Sequence, residues 1–115
     1  MRPITVTVGP NASPGAQSDW VRFDDWAPGL VSIQCTVTGT CNYTVQQTLQ
    51  DPGSPTNAVA YASVAWVSHP DSALVAATTT AQGNYAYPPV YARVLLNSET
   101  GSGAVSAVFR QAYTQ

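Results

Sequence analysis

Lysine is absent from this 115-residue chain, and all four of its cations are arginine. Six acidic residues and one histidine leave a formal net charge of −2, and only 9% of the residues are charged. An average soluble domain carries about 25%. Affinity for a phosphate backbone comes from clustered Lys and Arg, so this composition argues against nucleic acid as a partner. Long apolar runs are lacking too. The richest stretch, residues 58–67, is interrupted by Ser63 and falls short of the ~18 residues of a membrane helix, so no membrane partner is expected. The first ten residues alternate like a strand and lack the apolar core and cleavage site of a secretion leader. The Asn-X-Ser/Thr sequons at Asn11 and Asn42 are therefore read as chance matches.

Catalytic equipment is equally sparse. No GxxxxGK, GxGxxG, HExxH or GxSxG motif occurs. Asp24 and Asp25 are adjacent, so in an extended segment they point to opposite faces and cannot share a proton. Together with Asp19 they offer too few oxygens for calcium, which takes six or more. Cys35, Cys41 and His69 supply at most three ligands, short of a structural zinc site. A cysteine thiolate with His69 as its base is disfavoured, because both cysteines have the parity of a buried face. The expectation is a non-enzymatic protein with no catalytic residue, no metal and no cofactor.

With 44% hydrophobic residues, the chain nevertheless lies far from the disordered regime. Its length suits one domain, residues 1–115, with 1–18 as an N-terminal arm and loop. The dominant pattern has period two. Val31, Ile33, Cys35 and Val37 share one parity and Ser32, Gln34, Thr36 and Thr38 the other. The same parity continues through Cys41, Tyr43, Val45 and Leu49, with Asn42, Thr44, Gln46 and Thr48 on the polar face. This predicts two strands joined at Gly39 as a β-hairpin. A bulged turn at Gly39 sets Cys35 opposite Cys41, and a second register pairs Val37 with Cys41. In the first register a Cys35–Cys41 disulfide is geometrically open, and reduced thiols are the alternative.

Further strands are expected at residues 5–8, 20–23 and 74–80. Residues 90–96 and 104–113 read as a closing pair joined by a polar turn. Residues 58–68 fit either a strand or a short helix, and 82–89 read as a loop. About eight short, mainly antiparallel strands predict an all-β domain, a β-sandwich or jelly roll; a partly open barrel gives the same signal.

Two stretches stand out as contact candidates. Arg2, Ile4, Val6 and Val8 lie on a segment that either pairs with a partner's sheet edge or forms the first strand of its own sheet. Tyr85, Tyr87 and Tyr91 flank a Pro88-Pro89 pair, where aromatic rings tend to be part-exposed and anchor interfaces. Trp20, Trp26, Trp66 and Tyr61 join these tyrosines as candidate stacking residues for a neutral sugar, the signature of a carbohydrate-binding module. Single buried rings in the core are the simpler explanation for most of them.

The run from Val31 to Pro52, with Thr38-Gly39-Thr40, Tyr43, Val45-Gln46 and Asp51-Pro52, resembles a hairpin common in small virion proteins of tailed bacteriophages. Their strand pattern V-x-V-T-G-T-x-x-Y-x-V-Q-x-T leads into an Asp-Pro loop, a Trp-bearing segment, a P-x-x-A-x-R strand and a Gly-Ser turn. Trp66, then Pro89 to Arg93, then Thr100-Gly101-Ser102-Gly103 supply those pieces in order, so the resemblance spans residues 30–111. Cys35 and Cys41 depart from the pattern, where Val or another small residue is usual. The resemblance implies a structural protein assembled in the host cytoplasm into the virion. A capsid decoration or cement protein, homo-oligomeric and bound to the major capsid protein or other virion proteins, is the first expectation. A tail, neck or head-fibre component is the second.

Overall fold

The computed structural model describes residues 3–10, 13–23, 30–56, 58–86 and 88–111. Arg2, Asp24, Asp25, Trp26 and Tyr87 lie outside them. The described chain is all-β. Its strands are β1 (Ile4–Val8), β2 (Val21–Arg22), β3 (Val31–Thr48), β4 (Val67–Ser68), β5 (Ala81–Tyr85) and β6 (Tyr91–Gln111), with short 3₁₀ turns at Tyr61–Ser63 and Ser72–Leu74. All pairings are antiparallel, within one sheet that is nearly closed into a barrel. The sequence reading of two sheets stacked as a sandwich or jelly roll gives way to this single curved sheet.

The largest correction concerns Gly39. No hairpin forms there. β3 runs on through it as one 18-residue strand, and β6 is likewise continuous across residues 97–103. The two pair along nearly their whole length, from Val31 opposite Gln111 to Thr48 opposite Tyr91. Period-two alternation reports which face a residue takes. It does not report whether the chain reverses, so a strand that bends and continues leaves the same trace as a tight hairpin.

The bend is visible in the spacing of its flanks. β5 pairs with β3 at Val31–Cys35 and β4 pairs with it at Gln46–Gln47, both on the side of β3 away from β6. In a straight strand, Ser32 and Gln46 would lie about 46 Å apart at ~3.3 Å per residue. Yet the residues opposite them, Asn84 and Ser68, are bridged by one side chain. His69 Nδ1 accepts from the Asp71 N–H at 2.9 Å, which leaves Nε2 to donate to the Asn84 carbonyl, also at 2.9 Å. Tyr85 makes a parallel tie, its hydroxyl donating to Gln47 Oε1 at 2.7 Å. His69 is buried, 4% exposed, and fastens the two ends of the sheet.

Gly39 enables the bend with a φ of +72°, a conformation that costs glycine nothing. β6 answers with bulges. It carries two extra residues against the Thr38–Thr40 step and one more against the Asn42–Tyr43 step. An odd total reverses side-chain parity. Ala92, Val94 and Leu96 point inward before the bulges, and Val105, Ala107 and Phe109 point inward after them, while β3 keeps odd positions inward from Val31 to Val45. These side chains, with Val8, Val21, Phe23, Leu74 and Tyr85, form one core. Tyr43 sits fully buried near its centre, its hydroxyl donating to the Thr79 carbonyl at 2.8 Å.

Smaller expectations also shift. β1 pairs with Val105–Phe109 of its own chain, so it is the first strand of this sheet. Residues 58–68 resolve into the first 3₁₀ turn and the two-residue β4. Residues 74–80 contribute only the Tyr43–Ala77 bridge, whereas 81–85, expected as loop, form β5. That strand reads AQGNY, with none of the β-branched residues that mark a strand in sequence.

Gly103 is the tightest point of the β6 bulge. A Cβ there would collide with the backbone carbonyl of Thr40, which cannot move without breaking the ribbon. Gly103→Ala is expected to destabilise the fold by about 1–3 kcal/mol. Gly53→Ala, whose Cβ meets only Asp51 Oδ1 at 3.4 Å, is expected to shift stability by less than about 0.5 kcal/mol. Urea unfolding of the two variants beside the parent checks the contrast.

Candidate surface sites on the barrel

With Ala92 and Val94 facing the core, the neighbouring Tyr91 and Arg93 of β6 must face outward. Arg93 stands directly opposite Gln46 of β3, and the segment after β3 folds back over this outer face. One tie there is Gln50, whose Oε1 accepts from the Ala65 N–H at 2.6 Å. The return brings Tyr61 and Trp66 beside Trp20, which precedes β2. Trp20 and Tyr61 stack at 4.1 Å with planes 10° apart. Trp66 and Tyr91 meet Trp20 edge-on at 4.9 and 5.2 Å. Such offset and edge contacts add about 0.5–1.5 kcal/mol per pair beyond burial.

Two arginines flank the rings. The Arg93 guanidinium lies 4.1 Å from the Trp66 ring centre and donates to Gln46 Oε1 at 2.9 Å and Gln17 Oε1 at 2.8 Å. Its partial burial lowers its pKa from the ordinary arginine value. Arg22 sits over Tyr91 at 5.2 Å and pairs with Asp51 Oδ2 at 2.6 Å. That hydrogen bond, helped by the Gly53 N–H, holds the Asp51 carboxyl below its usual value. Gln17, Trp20, Tyr61, Ala62, Val64, Trp66 and Arg93 line a cleft of about 350 Å³.

A second surface feature lies at the β4 edge. Gln47, Thr48, Leu49, Val67, Pro70, Tyr85, Pro88 and Pro89 line an open groove of about 340 Å³. Leu49 is 78% exposed and Val67 61%. Aliphatic side chains left in water side by side mark contact surfaces more often than isolated ones do.

The structure sorts the sequence candidates. Trp20, Tyr61, Trp66 and Tyr91 come together; Tyr85 does not, being 6% exposed and packed on His69 at 4.6 Å. It therefore reaches the groove from the core side and is not the part-exposed anchor expected. Arg2, Trp26 and Tyr87 lie outside the described residues. Val8 is buried, Val6 half-buried and Ile4 exposed. Arg93, Gln17, Gln46, Leu49 and Val67 were missed. The outward parity of Tyr91 and Arg93 was readable once Ala92 and Val94 were assigned inward, but the fold-back that brings Trp66 over Arg93 was not.

Cys35 and Cys41 are both free and buried. They are not cross-strand neighbours: Cys35 pairs with Ala81 and Ala107, and Cys41 with Glu99. Burial pushes the Cys35 thiol up to about 11, only partly offset by its hydrogen bond with Tyr43. Cys41 is raised as well, by burial and then by the Glu99 charge. His69 spends both ring nitrogens on backbone groups, so the thiol–imidazole pair considered from sequence is not assembled. Among the described residues no three or more His, Cys, Asp or Glu side chains gather as a metal site.

No family model, curated protein or solved structure matches the chain.

The raised Cys35 pKa carries a pH dependence with a definite sign. Between its ordinary value of 9.0 and about 11, the unfolded chain releases a proton that the folded chain retains, so stability is full below pH 9 and falls as pH rises toward 11. The loss attributable to this thiol is on the order of 2 kcal/mol. Cys35→Ala should make the decline across that window shallower in urea titrations, the remainder coming from Cys41, Tyr43 and Tyr85, which burial also raises. Consistent with buried, protonated thiols, both cysteines should resist a thiol-reactive disulfide reagent at pH 8 until denaturant is added.

Proposed function

We propose that the protein is a non-enzymatic structural component of a tailed-phage virion, a capsid decoration or cement protein that docks on the assembled head. The observation that carries this reading is the groove at the β4 edge, where Leu49 and Val67 remain in water beside Pro88 and Pro89. A chain with only 9% charged residues has few charges to strip of water when its surface is buried against a partner. The strand and turn residues of 30–111 that resemble small virion proteins support the same assignment, although the hairpin of that resemblance is one continuous strand here. The partner under this reading is the major capsid protein or another virion protein, met in the host cytoplasm during assembly, with the chain forming low-order homo-oligomers on the shell.

A second reading has its own observation. Trp20, Tyr61, Trp66 and Tyr91 gather on one outer face, an arrangement that suits the apolar faces of sugars. A carbohydrate-binding module is therefore the alternative, and it uses a different surface from the groove.

Sedimentation of purified protein with undecorated phage heads tests the docking reading, with bound copies counted by gel densitometry. Saturation at a high, fixed copy number is expected, and Leu49→Asp with Val67→Asp should abolish binding without changing the thermal melt, since both side chains are exposed. Absence of head binding by the parent overturns the proposal. Binding at only a few copies per particle reassigns the protein to the tail, neck or head fibre.

A further inference from the structure

The cleft over the outer face of β3 and β6 has a charge that no described carboxylate cancels. Arg22, the other cation on this face, is neutralised by Asp51. Arg93 has no such partner: among the described residues no carboxylate pairs with it, and its hydrogen bonds go to the neutral amides of Gln46 and Gln17. Those amides and the Trp66 ring beneath it fix the guanidinium in place without consuming its charge. Asp19, the carboxylate nearest in sequence to the rings, is not among the residues lining the cleft. A rigid, part-desolvated guanidinium is a strong anchor for a carboxylate, because its ordering cost is already met and hydrogen bonds to charged groups are worth about 1.5–3 kcal/mol.

The other walls specify what should accompany that carboxylate. Tyr61 is 66% exposed although it stacks on Trp20, so an apolar ring face is held in water at the cleft mouth. Gln17 adds an amide able to serve hydroxyl groups. The volume of about 350 Å³ lies at the small end of the ~300–1,000 Å³ range of ligand clefts. We infer that this cleft binds an acidic saccharide: a sugar ring carrying a carboxylate, stacked on the aromatic wall with its acid group at Arg93. The inference rests on the carbohydrate reading of the rings and is independent of the groove. Single-stranded nucleic acid also stacks on aromatic rings, but it needs a track of cations along its backbone. A chain with no lysine and one uncompensated arginine in the cleft does not provide one.

Tryptophan fluorescence of the full chain reports directly on Trp20 and Trp66. The protein is titrated with oligogalacturonate, sialyllactose and hyaluronan oligosaccharides, with maltotriose, lactose and chitotriose as neutral counterparts and oligothymidylate as the nucleic-acid arm. A saturable change with at least one acidic sugar is expected, weakened by high salt and about tenfold or more by Arg93→Gln. Tyr61→Ala, at an exposed position, should weaken the same sugar while leaving the thermal melt in place, which guards against an Arg93 variant that merely misfolds. Equal binding of acidic and neutral sugars overturns the acid specificity and leaves the carbohydrate reading standing. No response to any sugar, or a response to oligothymidylate alone, overturns both.

Discussion

The structure depends on one two-stranded ribbon that bends. β3 and β6 supply most of the inward-facing side chains, and every other strand is an addition to one of their outer edges. A straight ribbon of this length would leave both faces in water. Gly39 and the β6 bulges let it fold back so that its two halves enclose Tyr43, Phe109 and Leu96. The side chains of His69 and Tyr85 then tie β4 to β5 and β5 back to β3. Burial on one face drives closure, and the bulges keep that burial in phase on both sides of the bend.

The same geometry produces the surface features. A strand that alternates inward and outward must present Tyr91 and Arg93 if it buries Ala92 and Val94. The returning segment between β3 and β4 caps this outer face with Tyr61 and Trp66, so ring packing stabilises the connection while leaving one ring exposed. At the β4 edge, two residues of strand are too short to shield their surroundings, and Leu49 and Val67 stay in water. Groove and cleft are thus separate consequences of how little secondary structure covers the β3–β6 ribbon.

Much of the core was readable from alternation alone. Val31, Ile33, Cys35, Cys41, Tyr43 and Val45 were assigned inward and are inward, whereas Leu49, assigned with them, is 78% exposed, and Thr44 and Thr48, assigned to the polar face, are buried. What failed was the inference from two in-phase runs around a glycine to a chain reversal. Gly39 does adopt the left-handed conformation a turn would need, but in the service of a bend. β5 was hidden for a different reason: apart from Tyr85, AQGNY has little β propensity, and it is a strand because the open edge of β3 supplies its hydrogen bonds. The structural role of His69, beside Pro70, was not legible because no local pattern reports a hydrogen bond to a strand fifteen residues away.

Sequence by itself determined the class of structure and the side of the sheet on which most core residues lie, since period-two burial is a local property written into every few residues. It also determined the sparse charge and the absence of lysine that set the electrostatic character of any contact. Tertiary structure alone decided that the two long strands bend and continue, that Cys35 and Cys41 take separate partners, and that Trp20, Tyr61, Trp66 and Arg93 share one cleft. Those outcomes depend on contacts between residues tens of positions apart, whose free energy exists only once the ribbon has closed on itself.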